Sequence, residues 1–119
     1  MRLSRLSGRK VCERVKTKGM LWKGKHVQAR FLRGVPRGLP ADSPAALRVG
    51  VVTSAKLDKS AVRRNRMRRR CREALRLAVS EFPKEVAVQL ILLPRSSSLT
   101  APFDELLLDA RRFLSSLSA

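Results

Sequence analysis

Apolar and polar positions alternate along this chain with two different periods, and the changes of period mark the elements. Val11, Cys12 and Val15 share one face at helical spacing, so a helix is expected over about Gly8–Lys18, with Ser7 as its cap and Gly19 ending it. Val27, Ala29 and Phe31 then alternate with Gln28 and Arg30, the period of two of a strand with one buried face. Trp22, before the Gly24 turn, belongs to a short strand preceding it. The segment from Gly34 to Ala46 is rich in proline and glycine and reads as a loop. "LRVGVVTS" (Leu47 to Ser54) is a further strand, expected to pair antiparallel with the Val27 strand across that loop.

Lys56 to Ser60 forms a turn, with Asp58 or Ser60 as cap of a long helix from Ala61 to Phe82 that Pro83 ends. Its apolar stripe is Met67, Cys71, Ala74, Leu75, Ala78, Val79 and Phe82. "EVAVQLILLP" (Glu85 to Pro94) is almost wholly apolar, as a central strand covered on both faces must be. "RSSSLTA" is a polar connector. A last helix starts near Ala101 or Pro102, where Phe103, Leu106, Leu107, Ala110, Phe113, Leu114 and Leu117 recur every three or four residues. These elements predict an α+β sandwich with helices packed on a small sheet.

Composition adds the partner. The 119 residues form one domain, 1–119, with 44% apolar content and 27 Lys+Arg against 9 Asp+Glu, a net charge of +18. Residues 1–76 carry a net +19 and residues 77–119 a net −1. So large a self-repulsion implies an anionic partner, nucleic acid ahead of a membrane surface. The long helix concentrates it: "SAVRRNRMRRRCREALR" (Ser60 to Arg76) holds eight arginines and one acid, Glu73. A solvated helix face mixes signs to gain i,i+4 pairs, and this one does not. Arginine also favours forked phosphate contacts. Asn65, Arg69, Arg72 and Arg76 form an outer ridge, flanked by Arg63, Arg66 and Arg70. Arg64 and Arg68 project on the side of the apolar stripe, so the first turns are expected to overhang the sheet and place both beside it, outside the core. A helix lying on a sheet suits recognition of folded RNA by shape and backbone.

Other chemistries find little support. One histidine, no paired carboxylates on a motif and no Ser-His-Asp set argue against catalysis by the chain itself. Cys12 and Cys71 have no metal-ligand spacing and read as reduced thiols of a cytoplasmic protein, with no metal site. The N-terminus shows no secretory signal and no apolar run spans a membrane.

The stretch "KLDKSAVRRNRMRRRCRE" resembles the signature helix of the bacterial ribonuclease P protein subunit. Arg64-Asn65-Arg66, then Met67, Arg68-Arg69 and Arg72-Glu73 carry the resemblance, and "RVGVVTSAK" is similar to the strand before it. The resemblance implies an αβββαβα two-layer sandwich with a four-stranded sheet and a left-handed βαβ crossover around the motif helix. It implies the protein component of an endoribonuclease that removes the 5′ leader of precursor tRNA, with hydrolysis carried by the RNA subunit and Mg²⁺ held mainly through that RNA. The implied partners are the catalytic RNA and precursor tRNA, with one protein copy and no membrane. By position, Arg64, Asn65, Arg66, Arg68, Arg69, Arg72 and Lys56 are implied RNA contacts. A leader cleft would involve Cys12, Lys16, Gln28 and Arg30. The chain departs from the family where aromatics usually stand, at Cys12, Lys16 and near Arg30, so the cleft would grip by charge rather than by stacking. Trp22, Phe31, Phe82, Phe103 and Phe113 are expected in or beside the core. The alternative is a structural RNA-binding protein of ribosomal type with no share in catalysis.

Overall fold

A computed structural model describes residues 1–117. Its elements are β1 (Leu3–Arg5), α1 (Arg9–Lys18), β2 (Met20–Lys23), β3 (Val27–Arg33), β4 (Leu47–Val51), α2 (Ala61–Glu81), β5 (Val88–Pro94), a 3₁₀ turn (Ser96–Leu99) and α3 (Phe103–Leu117). The class is α+β, as expected, with a mixed five-stranded sheet in the order β1-β4-β5-β3-β2.

Two expectations about the sheet need correction. First, it has five strands rather than four. β1 is three residues long and mixed in polarity, so no run betrays it. It forms because the backbone pairs in parallel with β4, Leu3 opposite Leu47 and Arg5 opposite Val49. Second, β3 and β4 are not antiparallel neighbours. β5 lies between them, antiparallel to β3 and parallel to β4. As the most apolar strand, β5 gains most from the position where both edges and both faces are covered, and six of its seven residues are buried. β4, α2 and β5 thus make a βαβ unit between adjacent parallel strands.

Side-chain alternation gives the sheet two different faces. Val27, Ala29 and Phe31 of β3, Leu47 and Val49 of β4, and Val88, Leu90 and Leu92 of β5 face α2 and α3 and form the main core. Phe113 of α3 meets Trp22 and Phe31 edge-on, at centroid distances of 5.5 and 5.4 Å. Phe82 and Phe103 pack at its margin, so the five aromatics lie in or beside the core. α1 lies across the opposite face, where Val15 packs with Leu6 and Ile91 in a smaller cluster bordered by Cys12, Leu32 and Leu93.

The α2 stripe from Met67 to Val79 is buried as its periodicity predicts, and Phe82 is half-buried just past the helix end. At the start of α2, both expected caps are used: Ser60 Oγ accepts from the Arg63 amide, and Asp58 Oδ1 accepts from the Ser60 amide. The start of α1 differs from expectation. Its cap is Gly8, at φ +99°, rather than Ser7, whose side chain makes no capping bond there. The turn from β1 into α1 needs that left-handed backbone, which only glycine adopts without strain. Gly19 ends α1 as expected, its amide donating to Val15 O at 2.9 Å. Among the described residues, no helix is long and apolar enough to cross a membrane.

Candidate nucleic-acid interface

The eight arginines from Arg63 to Arg76 separate into two groups by what they touch. Arg70 is committed to the fold: its guanidinium donates to Ser98 O at 2.6 Å, to Leu99 O at 2.9 Å and to Ala101 O. These carbonyls belong to the 3₁₀ turn and its exit, so Arg70 ties that turn to α2. Arg64 folds back onto Asp58 O at 2.8 Å and Lys59 O at 3.3 Å, closing the turn before the helix. Arg68 donates to Thr53 Oγ1 at 2.7 Å, just past the end of β4, and to Asn65 Oδ1. Both are half-buried and outside the core; Arg68 lies beside the sheet as expected, whereas Arg64 turns back to the loop before the helix. Arg76 pairs with Glu73, which holds that carboxyl below its ordinary range. Arg63 lies 3.8 Å from Asp58.

Arg66, Arg69 and Arg72 remain. All three are exposed, and among the described residues none makes a hydrogen bond or ion pair. They are spaced by three residues along about 9 Å of helix axis. A groove of about 370 Å³ runs on one side of this line, bounded by Val62, Arg63, Arg66, Arg70, Leu99 and Thr100. A second, of about 210 Å³, is bounded by Leu3, Ser4, Arg5, Val49 and Arg72. Arg5 was not among the expected contacts. Nothing in the local pattern ties it to α2, because only the pairing of β1 with β4 brings it there. Lys56 is exposed in the turn before α2. Three unpaired guanidinia on a ridge between two grooves suit polyanion backbone more than a small ligand.

The four cleft residues share the sheet face that α1 covers. Cys12 is half-buried at the edge of the small cluster, and Lys16 is exposed on the same flank of α1. Gln28 and Arg30 alternate out from β3 on that face, both half-buried. Arg30 reaches the end of α1, donating to Gly19 O at 3.3 Å. α2 packs on the other face, so the ridge and these four residues lie on opposite sides of the sheet.

The one histidine is sealed. His26 is 6% exposed, with its ring nitrogens 2.8 Å from Ser97 Oγ and 2.8 Å from Glu105 Oε1. Glu105 also takes Lys25 Nζ at 2.7 Å, and these two partners, Lys25 first, pull its carboxyl below the usual range. Asp109, 2% exposed, accepts from the backbone amides of Lys25 at 3.0 Å and His26 at 2.7 Å. The cluster fastens the β2–β3 hairpin to α3 and leaves His26 no free nitrogen for proton transfer. Among the described residues, no three His, Cys, Asp or Glu side chains come together as a metal cage.

Comparison with solved structures finds the same fold. The Staphylococcus aureus ribonuclease P protein matches with a TM-score of 0.70 and 18% identity, over 98% of this chain and 96% of that one. The Thermotoga maritima ribonuclease P protein matches with a TM-score of 0.66 and 22% identity, over 92% of this chain and 96% of that one. The family model described as ribonuclease P matches residues 1–118, so the whole described fold lies inside it. The chain belongs to the ribonuclease P family, as a bacterial protein subunit of that ribonucleoprotein.

Proposed function

We propose that this subunit binds the catalytic RNA of ribonuclease P through the α2 ridge and holds the 5′ leader of precursor tRNA against the α1 face of the sheet. Family membership makes it part of a tRNA-processing endoribonuclease and a partner of the ribonuclease P RNA. The observation that carries the finer reading is the set of unpaired guanidinia at Arg66, Arg69 and Arg72, in a chain of net charge +18. Arg64, Arg68 and Asn65 would act with them. One or two donors of each guanidinium are spent within the fold, and a guanidinium has five. Lys56 would extend the contact toward the cleft, where Cys12, Lys16, Gln28 and Arg30 would hold the leader by charge and hydrogen bonding.

In this reading the RNA carries out the hydrolysis. The sealed His26 supports it, since the chain's one imidazole is engaged at both nitrogens. Mg²⁺ would be held mainly through the RNA, whose phosphate oxygens are the hard ligands it prefers. The protein's part is to neutralise crowded phosphates, working as one copy per catalytic RNA in the cytoplasm.

The test adds the purified protein to a bacterial ribonuclease P RNA at Mg²⁺ too low for the RNA alone, and maps the 5′ ends of the products. Accurate maturation is expected. RNA binding without any gain in processing would return the chain to the ribosomal-type alternative, and cleavage by the protein without RNA would move catalysis onto the protein.

A further inference from the structure

α1 has two flanks, and the leader cleft uses one of them. Arg14 and Lys18 stand two residues after Cys12 and Lys16, which puts them about 160° away around the helix. On that far flank lies a groove of about 740 Å³, within the range of ligand sites. Its walls are α1, Arg37 of the β3–β4 loop, and Gln89 of β5. The cations Lys10, Arg14, Lys18 and Arg37 line it, and among the described residues none of the four makes an ion pair. The one carboxylate there, Glu13, lies 4.0 Å from Arg9.

A basic groove on so basic a protein could be solvated surface. Gln89 argues otherwise. It is the one polar residue in β5, the central strand, and it is 5% exposed. Its Oε1 is buried with no hydrogen-bond partner, and the residue forms part of the groove's lining, so a small side-chain rotation brings the amide to a bound ligand. Its register partner in β4, Arg48, is also buried, and while Arg48 Nη2 donates to Pro44 O, its Nη1 has no partner. Unmade hydrogen bonds at buried polar groups cost stability, and an apolar residue here would avoid that cost. A ligand that brings a donor to Gln89 and negative charge to the groove mouth removes the discrepancy.

We propose that this groove is a second RNA-binding site, distinct from the α2 ridge and the leader cleft. Arg14, Lys18 and Arg37 contact successive phosphates of a single strand, and Gln89 accepts a hydrogen bond from a ribose 2′-hydroxyl or a base amino group. The proposal rests on the RNA-bound role above but on none of the residues assigned there. The strand comes either from the catalytic RNA or from precursor tRNA, and both present the same backbone.

The test uses two variants, Arg14→Ala/Lys18→Ala/Arg37→Ala and Gln89→Leu, with circular-dichroism melts as the folding control. Two affinities are measured between 50 and 200 mM salt: protein for catalytic RNA, and assembled holoenzyme for precursor tRNA. At about 0.7 counterions per single-strand phosphate, three lost contacts flatten one salt slope by about 2. The affinity for that RNA falls at least tenfold at the low-salt end. Gln89→Leu weakens the same step, with its slope unchanged and its melting point no lower. A change in the first affinity assigns the strand to the catalytic RNA, and a change in the second assigns it to the substrate. Affinities within twofold and unchanged slopes in both assays overturn the proposal. Arg66→Gln/Arg69→Gln/Arg72→Gln is run in parallel: if it alone loses affinity, the second site fails while the α2 reading stands, and if it too is silent, both fall.

Discussion

Arg69 and Arg70 are neighbours in one run of arginines, yet within the described protein Arg70 makes three hydrogen bonds and Arg69 none, and their replacement should separate cleanly. Take first Arg66→Gln/Arg69→Gln/Arg72→Gln. These side chains make no hydrogen bond or ion pair within the described protein, so folding loses nothing and self-repulsion drops by three charges. The melting temperature should hold or rise slightly. RNA binding should lose three phosphate contacts. At about 0.7 to 0.9 released counterions each, the slope of log K against log salt becomes shallower by about 2 to 3. Over the fourfold salt range from 50 to 200 mM, that is a differential of about 20- to 40-fold. The defect should therefore be severe at low salt and modest at high salt.

Arg70→Met reverses the pattern. It keeps the aliphatic stem but removes the donors to Ser98, Leu99 and Ala101, leaving carbonyls of the 3₁₀ turn without that partner. The cost should be about 3 kcal/mol, a fall in Tm of roughly 10 °C. With the variant held folded at low temperature, the salt slope should stay near that of the parent. The assay is filter binding or fluorescence titration against ribonuclease P RNA at four salt concentrations, with a thermal melt of each protein. A triple variant that keeps the parental slope, or an Arg70 variant that flattens it as much without losing stability, refutes the division of the run into binding and structural arginines.

Cys71 is 3% exposed and its thiol is pushed up to about 11, chiefly by burial, whereas Cys12 is half-buried. Native alkylation followed by mass spectrometry should give one adduct, at Cys12, with Cys71 reacting only in denaturant. The same shift predicts alkaline sensitivity. A thiol whose pKa is raised by folding contributes stability in full below its unfolded value near 9, and that contribution is lost as pH climbs toward 11. Cys71→Ala should lack this part of the decline in urea melts. Asp109→Ala should strand the buried amide of His26 and the part-buried amide of Lys25 and cost about 2 to 3 kcal/mol, measured by denaturant titration, with the β2–β3 hairpin losing hydrogen-exchange protection first. In Gly19→Ala, an added Cβ would sit 2.3 Å from Val15 O and 3.1 Å from Phe31 N and O. All three are backbone atoms, so α1 must shift from β3, and leader-dependent affinity should fall more than affinity for the catalytic RNA.

What could be read along the chain was whatever repeats locally. The apolar stripe of α2 and that of α3 follow a fixed period, and both are buried as the period requires. Sheet order is not local. The Val27 and Leu47 strands look like a hairpin because they follow one another, but β5 enters between them some forty residues later in the chain. β1 shows no pattern because three residues cannot show one. The charge of the basic run was legible along the chain, and its division into free and bonded arginines was not. Arg70's acceptors lie 28 to 31 residues on, in a serine-rich turn that reads only as polar linker. Gln89 sits in a strand that reads as almost wholly apolar, and only the packing shows that its amide oxygen stays unpartnered beside a groove.

The arrangement of the two basic helices constrains how RNA can meet this protein. α1 and α2 pack on opposite faces of one sheet. With helix-to-sheet spacing of about 10 Å on each side, their axes are separated by about 20 Å with the core between them. The sheet, with the apolar β5 at its centre, fills that interval, while α3 packs beside α2 on one face. A single extended strand lying along the α2 ridge leaves the α1 flanks untouched, and those flanks hold Arg14, Lys16 and Lys18. To relieve repulsion on both faces at once, RNA must either fold around the edge of the sheet or arrive as two separate strands. A catalytic RNA on one face and a substrate leader on the other meets that requirement. A protein that merely coated one RNA helix would need its cations on one side.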